Sequence, residues 1–283
     1  MDGESSRLIS LKCLKSITNN FSDEQEIGKG SFGKKRKKES ALEVVETQFK
    51  KEESELEVAE TQFKKEGEVL AMLRHKNIVR LIGVCAEEGQ VTGQRNGKEI
   101  VDMPTWLLCF EYMPNGNLYE YLSDASSRLD WDRRYKLIKG VCCGLHYLHN
   151  LEPPVIHMDL KPQNILLDYT MEPKIADFGL CRLLTEGKTH TLTVNSGKGT
   201  VGYMAREYIN SGIISKESDI FSLGVIILEI VTGCRRYPSD TGLYSSKYMD
   251  FITEVRMLCY NFEIYKLQIL LLQCDRAEST CLC

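Results

Sequence analysis

Four polar residues near the middle of the chain have the types and the spacing that phosphoryl transfer requires. Asp159, Lys161 and Asn164 lie within six residues of one another, and Asp177 follows Asp159 by eighteen positions. A carboxylate can orient a hydroxyl and take its proton, while a lysine can neutralise charge on the moving phosphoryl group. An asparagine and a second carboxylate can hold magnesium through their oxygen atoms. We therefore predict that Asp159 and Lys161 are catalytic and that Asn164 and Asp177 bind the metal.

Three glycines upstream of these residues have a spacing that suits phosphate binding. Gly28, Gly30 and Gly33 have no side chains, so nearby backbone amides can approach phosphate oxygens without obstruction. An ordinary turn is the alternative interpretation of the glycines, and turn capping is the alternative for Asp159 and Asn164. Both alternatives must also account for motifs that occur together and in one order along the chain.

At these positions the chain resembles the eukaryotic-type protein kinases. His157-Met158-Asp159 with Asn164, followed by Asp177-Phe178-Gly179, is similar to the catalytic-loop and metal-binding motifs of that family. The flanking sequence resembles the plant receptor-like serine/threonine kinases, well over residues 14–33 and 63–233 and weakly elsewhere. The resemblance implies an α+β, bilobal fold. It also implies that the γ-phosphoryl group of ATP is transferred to protein hydroxyls in signalling, with Mg²⁺ as a cofactor.

The resemblance also implies how the chain is organised. Residues 1–25 would form a lead-in, and residues 26–113 a small β-rich N-lobe that is atypical at 34–62. Residues 114–283 would form a helical C-lobe that is shortened after about residue 233.

Further roles follow from the same resemblance. Gly28, Gly30 and Gly33 would cover the phosphates of ATP. Glu111 and Met113 would belong to the hinge whose backbone binds adenine, with Phe110 at the back of the pocket.

Three more residues gain implied roles in the larger lobe. Thr200 together with Lys161 indicates transfer to serine or threonine, and Asp219 would brace the catalytic loop. Met158 stands where many family members have an arginine that pairs with a phosphate on the activation loop. We therefore expect activity that does not depend on phosphorylation of that loop.

The segment after Gly33 departs from the family. A basic run, Lys34–Lys38, stands where a strand leading to Val-Ala-Val-Lys is expected, and the nucleotide-anchoring lysine has no clear counterpart. Glu66, at the position of its family partner, is then either functional or merely a solvated carboxylate. The missing lysine and the shortened C-lobe support an alternative function, in which the chain is a pseudokinase that acts as a scaffold or binding module.

The same region contains an internal repeat. Residues 42–52 recur as residues 56–66, an offset of fourteen. Apolar residues and Glu/Lys pairs at this period predict an amphipathic helix. We infer that the duplicated segment replaced the strand pair that the family has here.

Composition limits the partners and the location. The chain has 283 residues, of which 42% are hydrophobic and 27% charged, which suits one two-lobed domain. A net charge of -4 gives no general attraction to nucleic acid, and the basic run is expected to be a solvated face rather than a nuclear-targeting or nucleic-acid patch. No apolar run has transmembrane length, no signal peptide pattern is present, and eleven scattered cysteines indicate reduced thiols. We expect a cytoplasmic protein that acts on protein substrates, with a receptor complex at the inner face of the plasma membrane as a candidate partner.

Overall fold

The chain divides into two compact units. The computed structural model describes residues 7–22, 24, 26–30, 33–37, 42–47, 53–87, 91–95, 98–101, 105–123, 129–185, 187–193 and 197–233. The first unit contains Met1–Arg74 and Val79–Met113, and the second contains His75–Ile78 and Pro114–Cys283. Strands dominate the described part of the first unit and helices that of the second, which confirms the predicted α+β class. The predicted lead-in and the predicted shortening of the C-lobe stay predictions.

A six-stranded sheet forms the centre of the first unit. The elements of this unit, in chain order, are β1 (Arg7–Leu8), α1 (Leu11–Ile17), β2 (Glu26–Gly30), β3 (Gly33–Lys37), β4 (Leu42–Thr47), α2 (Glu53–Met72), β5 (Leu81–Glu87), β6 (Val91–Arg95), β7 (Lys98–Val101) and β8 (Thr105–Glu111). The order in the sheet is β1-β5-β8-β4-β3-β2, and β6 pairs with β7 in a separate hairpin. Only the β1–β5 pair of these described strands is parallel.

Helices α1 and α2 contribute to the apolar core of this unit. Leu14 of α1 is fully buried in a cluster with Cys85, Leu107 and Cys109 of the sheet. From α2, the ring of Phe63 stacks on Trp106, with 6.1 Å between the ring centroids. Because side chains alternate along a strand, Leu107 and Cys109 lie on one face of β8, and Trp106 lies on the other.

The two copies of the internal repeat have different secondary structures. The helix predicted for both copies is confirmed for residues 56–66, which lie in α2, and is wrong for the first copy, whose residues Leu42–Thr47 form β4. The strand pair that the repeat was expected to replace is therefore present as β3 and β4. Within the eleven repeated positions the copies differ only at Val45 and Ala59. Valine favours strands and alanine favours helices, and β4 also finds backbone partners in both β3 and β8.

The second unit is mainly helical. Its elements are α3 (Leu118–Ser123), α4 (Trp131–His149), β9 (Val155–Ile156), a 3₁₀ turn (Pro162–Asn164), β10 (Ile165–Leu167), β11 (Pro173–Ile175), β12 (Arg182–Leu183), β13 (His190–Leu192), α5 (Arg206–Ser211), β14 (Ile213–Ser215) and α6 (Lys216–Thr232). Three two-stranded antiparallel sheets join β10 to β11, β9 to β12, and β13 to β14. Each small sheet joins two of the segments that connect the helices.

Helices α4 and α6 form the framework of this unit. Leu145 and Leu148 of α4 are buried at helical spacing, as the sequence predicted, and Asp130 caps the helix by accepting a hydrogen bond from Arg133 N. Arg134 joins the two helices, because its guanidinium donates to the backbone carbonyls of Ile230 and Val231 near the end of α6. The last turn of α6 is thereby held against the first turn of α4.

Close backbone approach explains a glycine within α4. A Cβ atom added at Gly144 would lie 2.8 Å from the backbone oxygen of Asn77. The Asn77 side chain in turn donates to the backbone oxygen of Pro173 at 2.8 Å. Glycine therefore lets α4 pack directly on the backbone at Asn77, whose side chain is in turn bonded to the first residue of β11.

The expectation of reduced thiols is correct at five described positions and wrong at one. Cys13, Cys85, Cys109, Cys142 and Cys181 are free thiols, whereas Cys143 is disulfide-bonded. Within the described residues, no helix is both long enough and apolar enough to cross a membrane.

Candidate active site

Asp159, Lys161 and Thr200 form a closed triangle of hydrogen bonds. Lys161 Nζ donates to Asp159 Oδ2 at 2.6 Å and to Thr200 Oγ1 at 2.8 Å. Thr200 Oγ1 donates to Asp159 Oδ1 at 2.7 Å. Asp159 is only 6% exposed, so the lysine and the threonine fix a nearly buried carboxylate in one orientation. The structure thus brings together the two predicted catalytic residues and the predicted specificity residue.

Asn164 belongs to the same cluster. Its Nδ2 atom donates to the backbone oxygen of Asp159 at 2.9 Å and to Asp159 Oδ2 at 3.2 Å. This leaves the amide oxygen, Oδ1, without a hydrogen-bond donor from the described part of the chain. The backbone oxygen of Asn164 accepts from Ala176 N at 2.9 Å, which ties the loop to the residue before Asp177.

Asp219 holds the backbone of the catalytic loop by accepting hydrogen bonds from two of its amides. It is fully buried in α6, and its Oδ2 accepts from His157 N at 2.8 Å while its Oδ1 accepts from Met158 N at 2.9 Å. His149 Nε2 lies 2.9 Å from the same Oδ2 atom. The predicted bracing role of Asp219 agrees with this geometry. Nothing in the sequence pointed to His149, because it lies 70 residues from Asp219 and in no motif.

His157 connects the catalytic loop to the segment at Asp177-Phe178-Gly179. Its Nε2 lies 3.0 Å from the backbone oxygen of Ala176, and its Nδ1 accepts from Asp159 N at 3.3 Å. The His157 ring lies edge-on to Phe178 at a centroid distance of 5.0 Å.

Two residues of these loops have left-handed backbone conformations. Met158 and Asp177 both have φ of 69°. A non-glycine residue with this conformation carries strain of order 1–3 kcal/mol, which persists only where surrounding contacts enforce it. The bonds from His157 and Met158 to Asp219 supply such contacts at the first position.

The remaining predicted site residues lie in the first unit. Gly28 and Gly30 are in β2 and Gly33 begins β3, with Gly30 and Gly33 paired across the turn that joins the strands. Glu111 ends β8 and bonds Arg80 through both backbone and side chain, because Glu111 N donates to Arg80 O at 3.1 Å and Arg80 N donates to Glu111 Oε1 at 2.9 Å. Met113 is buried just after this strand.

The donor set suits a magnesium ion that also binds phosphates. Among the residues that the structure describes, no group of three or more His, Cys, Asp or Glu side chains is arranged to hold a metal. Mg²⁺ does not need such a group, because it is usually bound by one or two protein oxygens together with waters and substrate phosphates. Asn164 Oδ1, which has no protein donor in the described chain, fits this mode of binding.

The segment after Asp177-Phe178-Gly179, where the kinase resemblance implies the activation loop, is partly held by a sheet. Thr191 lies in β13, which pairs with β14, and Thr193 N donates to Gly212 O at 3.0 Å. Met158 lines a cavity of about 70 Å³ with Arg182 and Lys198 among its neighbours. The guanidinium of Arg182 donates to two local backbone carbonyls, at 2.8 and 3.1 Å.

Comparison with known proteins places these motifs in a family context. The family model described as "Protein kinase domain" matches residues 21–275. Cysteine-rich receptor-like protein kinase 29 of Arabidopsis thaliana is 42% identical over 242 residues, which cover 81% of this chain and 32% of that protein.

Two further relatives have similar identities. Cysteine-rich receptor-like protein kinase 6 of Oryza sativa subsp. japonica is 38% identical over 245 residues, which cover 85% of this chain and 32% of the relative. Receptor-like serine/threonine-protein kinase SD1-7 of Arabidopsis thaliana is 37% identical over 242 residues, or 84% of this chain and 26% of the relative. The chain thus spans about a third or less of the length of these curated relatives.

Proposed function

Because this chain belongs to the protein kinase family and is similar to plant receptor-like serine/threonine kinases, we propose that it transfers the γ-phosphoryl group of ATP to serine or threonine hydroxyls of proteins. Protein kinases in general use ATP and a divalent metal. The observation that carries the proposal is the triangle of Asp159, Lys161 and Thr200, since it combines a base, a cation and a hydroxyl that orients both.

In the proposed mechanism, Asp159 orients the acceptor hydroxyl and takes its proton. Each oxygen of a carboxylate can accept about two hydrogen bonds, and Asp159 Oδ1 accepts one, from Thr200. A second bond from the substrate hydroxyl to Oδ1 would place the acceptor oxygen beside the base. Asn164 and Lys161 hold the other oxygen, so the carboxylate does not rotate.

Lys161 stabilises the phosphoryl group during transfer. An ammonium group has three N–H donors. Two of these bond Asp159 and Thr200, which leaves one for a phosphoryl oxygen. The buried position of the triangle makes such a contact stronger than it would be in water.

We assign the metal to Asn164 Oδ1 and Asp177, and the phosphates to the backbone around Gly28, Gly30 and Gly33. Asn164 and Asp177 would hold Mg²⁺ through their side-chain oxygens, and the metal would supply positive charge that offsets the charge of the phosphates. Glu111 and Met113 would supply the backbone that binds adenine.

The partners and location remain proposals of the same kind. We expect protein substrates, and a receptor complex at the inner face of the plasma membrane, because the similar proteins are named as receptor-like kinases. The alternative of a scaffold without catalysis rests on the absence of a lysine from β4, while the intact triangle favours catalysis.

Transfer of labelled phosphate from ATP to a generic basic protein tests the proposal. The wild-type chain should yield phosphoserine or phosphothreonine, and Asp159→Asn should lower the rate by about a hundredfold or more because the base is lost. Asp132→Asn, an exposed position in α4, is the matched control and should retain the wild-type rate.

Two results would count against the proposal. Equal activity in Asp159→Asn would show that the assay reads another enzyme or that the assigned role is wrong. A folded wild-type chain that binds ATP and transfers nothing would favour the scaffold.

A further inference from the structure

Strand β4 lacks a cation where nucleotide phosphates need one. Kinases anchor the phosphates with a lysine on the strand that follows the glycine-rich hairpin. Here the hairpin is β2–β3, and the strand that follows it is β4, which lies between β3 and β8. The β4 sequence is Leu-Glu-Val-Val-Glu-Thr, with two carboxylates and no basic residue. Among the described strands, the neighbours of β4 are β3 and β8, and a phosphate-binding cation can come from one of them.

Strand β3 is the neighbour that can supply the cation. Its sequence, Gly-Lys-Lys-Arg-Lys, contains four basic residues. It pairs on one side with the glycine strand β2 and on the other with β4. The residues of β3 are therefore one strand away both from the glycines and from the strand in which the lysine is missing.

The strand register distinguishes one of these four residues from the others. Cross-strand partners with opposite charges attract each other. The partners across the two neighbouring strands are Lys29 and Glu46 for Lys34, Gly28 and Val45 for Lys35, Glu26 and Val44 for Arg36, and Glu43 for Lys37. Of the four basic residues in β3, Lys35 alone has no carboxylate among these register partners.

The register also assigns Lys35 to a face of the sheet. Cross-strand partners share a face, and Val45, the partner of Lys35, pairs with Leu108 of β8. Leu108 approaches α2, since a Cβ added at Gly67 would lie 3.9 Å from its Cδ2. Phe110, two residues along β8, has the same parity and is the residue expected at the back of the nucleotide pocket.

Lys34 has the opposite assignment. Its partner Glu46 pairs with Leu107, which belongs to the buried cluster around Leu14 of α1. Lys34 and Lys35 thus have the same charge and neighbouring positions in one strand but belong to opposite faces of the sheet. They form a matched pair for an experiment.

We propose that Lys35 binds the phosphates of ATP in place of the lysine that β4 lacks. This inference rests on the proposed binding of ATP. It assigns the phosphate-binding cation to the second strand of the glycine hairpin, opposite Gly28. With the cation supplied from β3, the composition of β4 no longer argues for a pseudokinase.

Calorimetric binding of ATP and of adenosine to the full chain, with Mg²⁺ present, tests the proposal without any catalytic step. Lys35→Ala should weaken ATP binding by about ten- to a hundredfold, the loss expected for a hydrogen bond between charged groups. Adenosine, which has no phosphate, should bind within about twofold of wild type. Lys34→Ala should leave both ligands within about twofold, because it removes an equal charge from the opposite face. Circular dichroism of each variant checks that the sheet is intact.

A second variant keeps the proposal testable if alanine perturbs β3. Lys35→Gln removes the charge while keeping most of the side chain, and it should reproduce the ATP-specific loss. Adding Val45→Lys to either variant should recover most of the ATP affinity, because cross-strand partners lie within about 5.5 Å of each other.

The possible outcomes separate this inference from the proposed function. If wild type binds ATP and the Lys35 and Lys34 variants bind it equally well, Lys35 is not the anchor, while ATP binding stands. If the folded wild-type chain binds neither ATP nor adenosine, both the proposed function and this inference are wrong. Equal loss of ATP and adenosine in Lys35→Ala would also overturn the inference, since the residue would then act on the pocket rather than on the phosphates.

Discussion

The substitution Asp219→Asn isolates the contribution of the buried brace under the catalytic loop. Asp219 accepts three hydrogen bonds: His157 N and His149 Nε2 at one oxygen, and Met158 N at the other. Asparagine has the same shape but only one acceptor oxygen. Placing that oxygen at the Oδ2 position keeps two bonds and turns the amide group toward Met158 N, so that two donors face each other. The opposite orientation keeps one bond and loses two, so the first is preferred.

The magnitude follows from this arrangement. One buried backbone N–H loses its acceptor, which costs about 1–3 kcal/mol. Replacing a fully buried carboxylate also removes a desolvation penalty, so the net loss should fall in the lower half of that range, about 1–2 kcal/mol. For a chain of this size each kcal/mol lowers the melting temperature by about 2–4 °C, giving an expected decrease of about 2–8 °C.

A catalytic effect should accompany the loss of stability. The unsatisfied amide belongs to Met158, whose strained conformation immediately precedes Asp159. We expect kcat to fall by about tenfold while KM for ATP changes little, because the base is displaced and the nucleotide is not.

The assay combines a thermal melt with steady-state transfer of phosphate, and Asp130→Asn serves as the control. Asp130 accepts from Arg133 N at an exposed helix cap, where asparagine is an equally good residue. That variant should match wild type in both measurements. If Asp219→Asn melts within about 1 °C of wild type and keeps its kcat, the three buried hydrogen bonds contribute nothing to the loop, and Asp219 does not brace it.

Three other predictions concern the catalytic triangle, the activation segment and the thiols. Thr200→Val removes two hydrogen bonds that orient Asp159 and Lys161. It should therefore lower kcat by about tenfold in steady-state assays and change the melting temperature by no more than about 3 °C. An unchanged kcat would contradict this prediction. Phosphatase treatment should leave the phosphoryl-transfer rate of wild type within about twofold, because Met158 offers no cation to a phosphate. The substitution Met158→Arg should make that rate depend on phosphorylation. A large loss of rate in wild type would show that another cation, such as Arg182, binds the phosphate. Burial raises the pKa of Cys85 to about 11 and that of Cys109 to about 12, so both thiols remain protonated at pH 8. Mass spectrometry after iodoacetamide labelling of the native protein should therefore find the exposed Cys13 modified and these two cysteines unmodified. Labelling of Cys109 as fast as Cys13 would contradict the buried position.

The residues proposed to be catalytic could be picked out from sequence because they lie close together in the chain. Asp159, Lys161 and Asn164 occur within one short loop, and backbone geometry alone brings their side chains near one another. The bracing role of Asp219 could be predicted only through resemblance, since nothing in the local pattern around α6 shows what its carboxylate accepts. His149 could not be found in either way, because its contact depends on how α4 packs beside α6.

The repeat shows the limit of local pattern most directly. Both copies have apolar residues and Glu/Lys pairs at a period that favours a helix, yet one copy forms β4. A strand can form at residues 42–47 because β3 and β8 provide hydrogen-bond partners along both of its edges. The helical copy runs on without interruption into the apolar residues of α2 that pack on the sheet, including Phe63.

By itself, the sequence determined the family and the α+β class and supplied the candidate residues for phosphoryl transfer, because these depend on residue types at short, ordered spacings. Only the tertiary structure decided which hydroxyl closes the triangle with Asp159 and Lys161, which groups satisfy the buried carboxylate of Asp219, and which lysine of the basic strand stands opposite Gly28 and Val45. The physical reason is that hydrogen bonds and strand register join residues that are far apart in the chain. Their partners are selected by packing, which no local pattern of residues specifies.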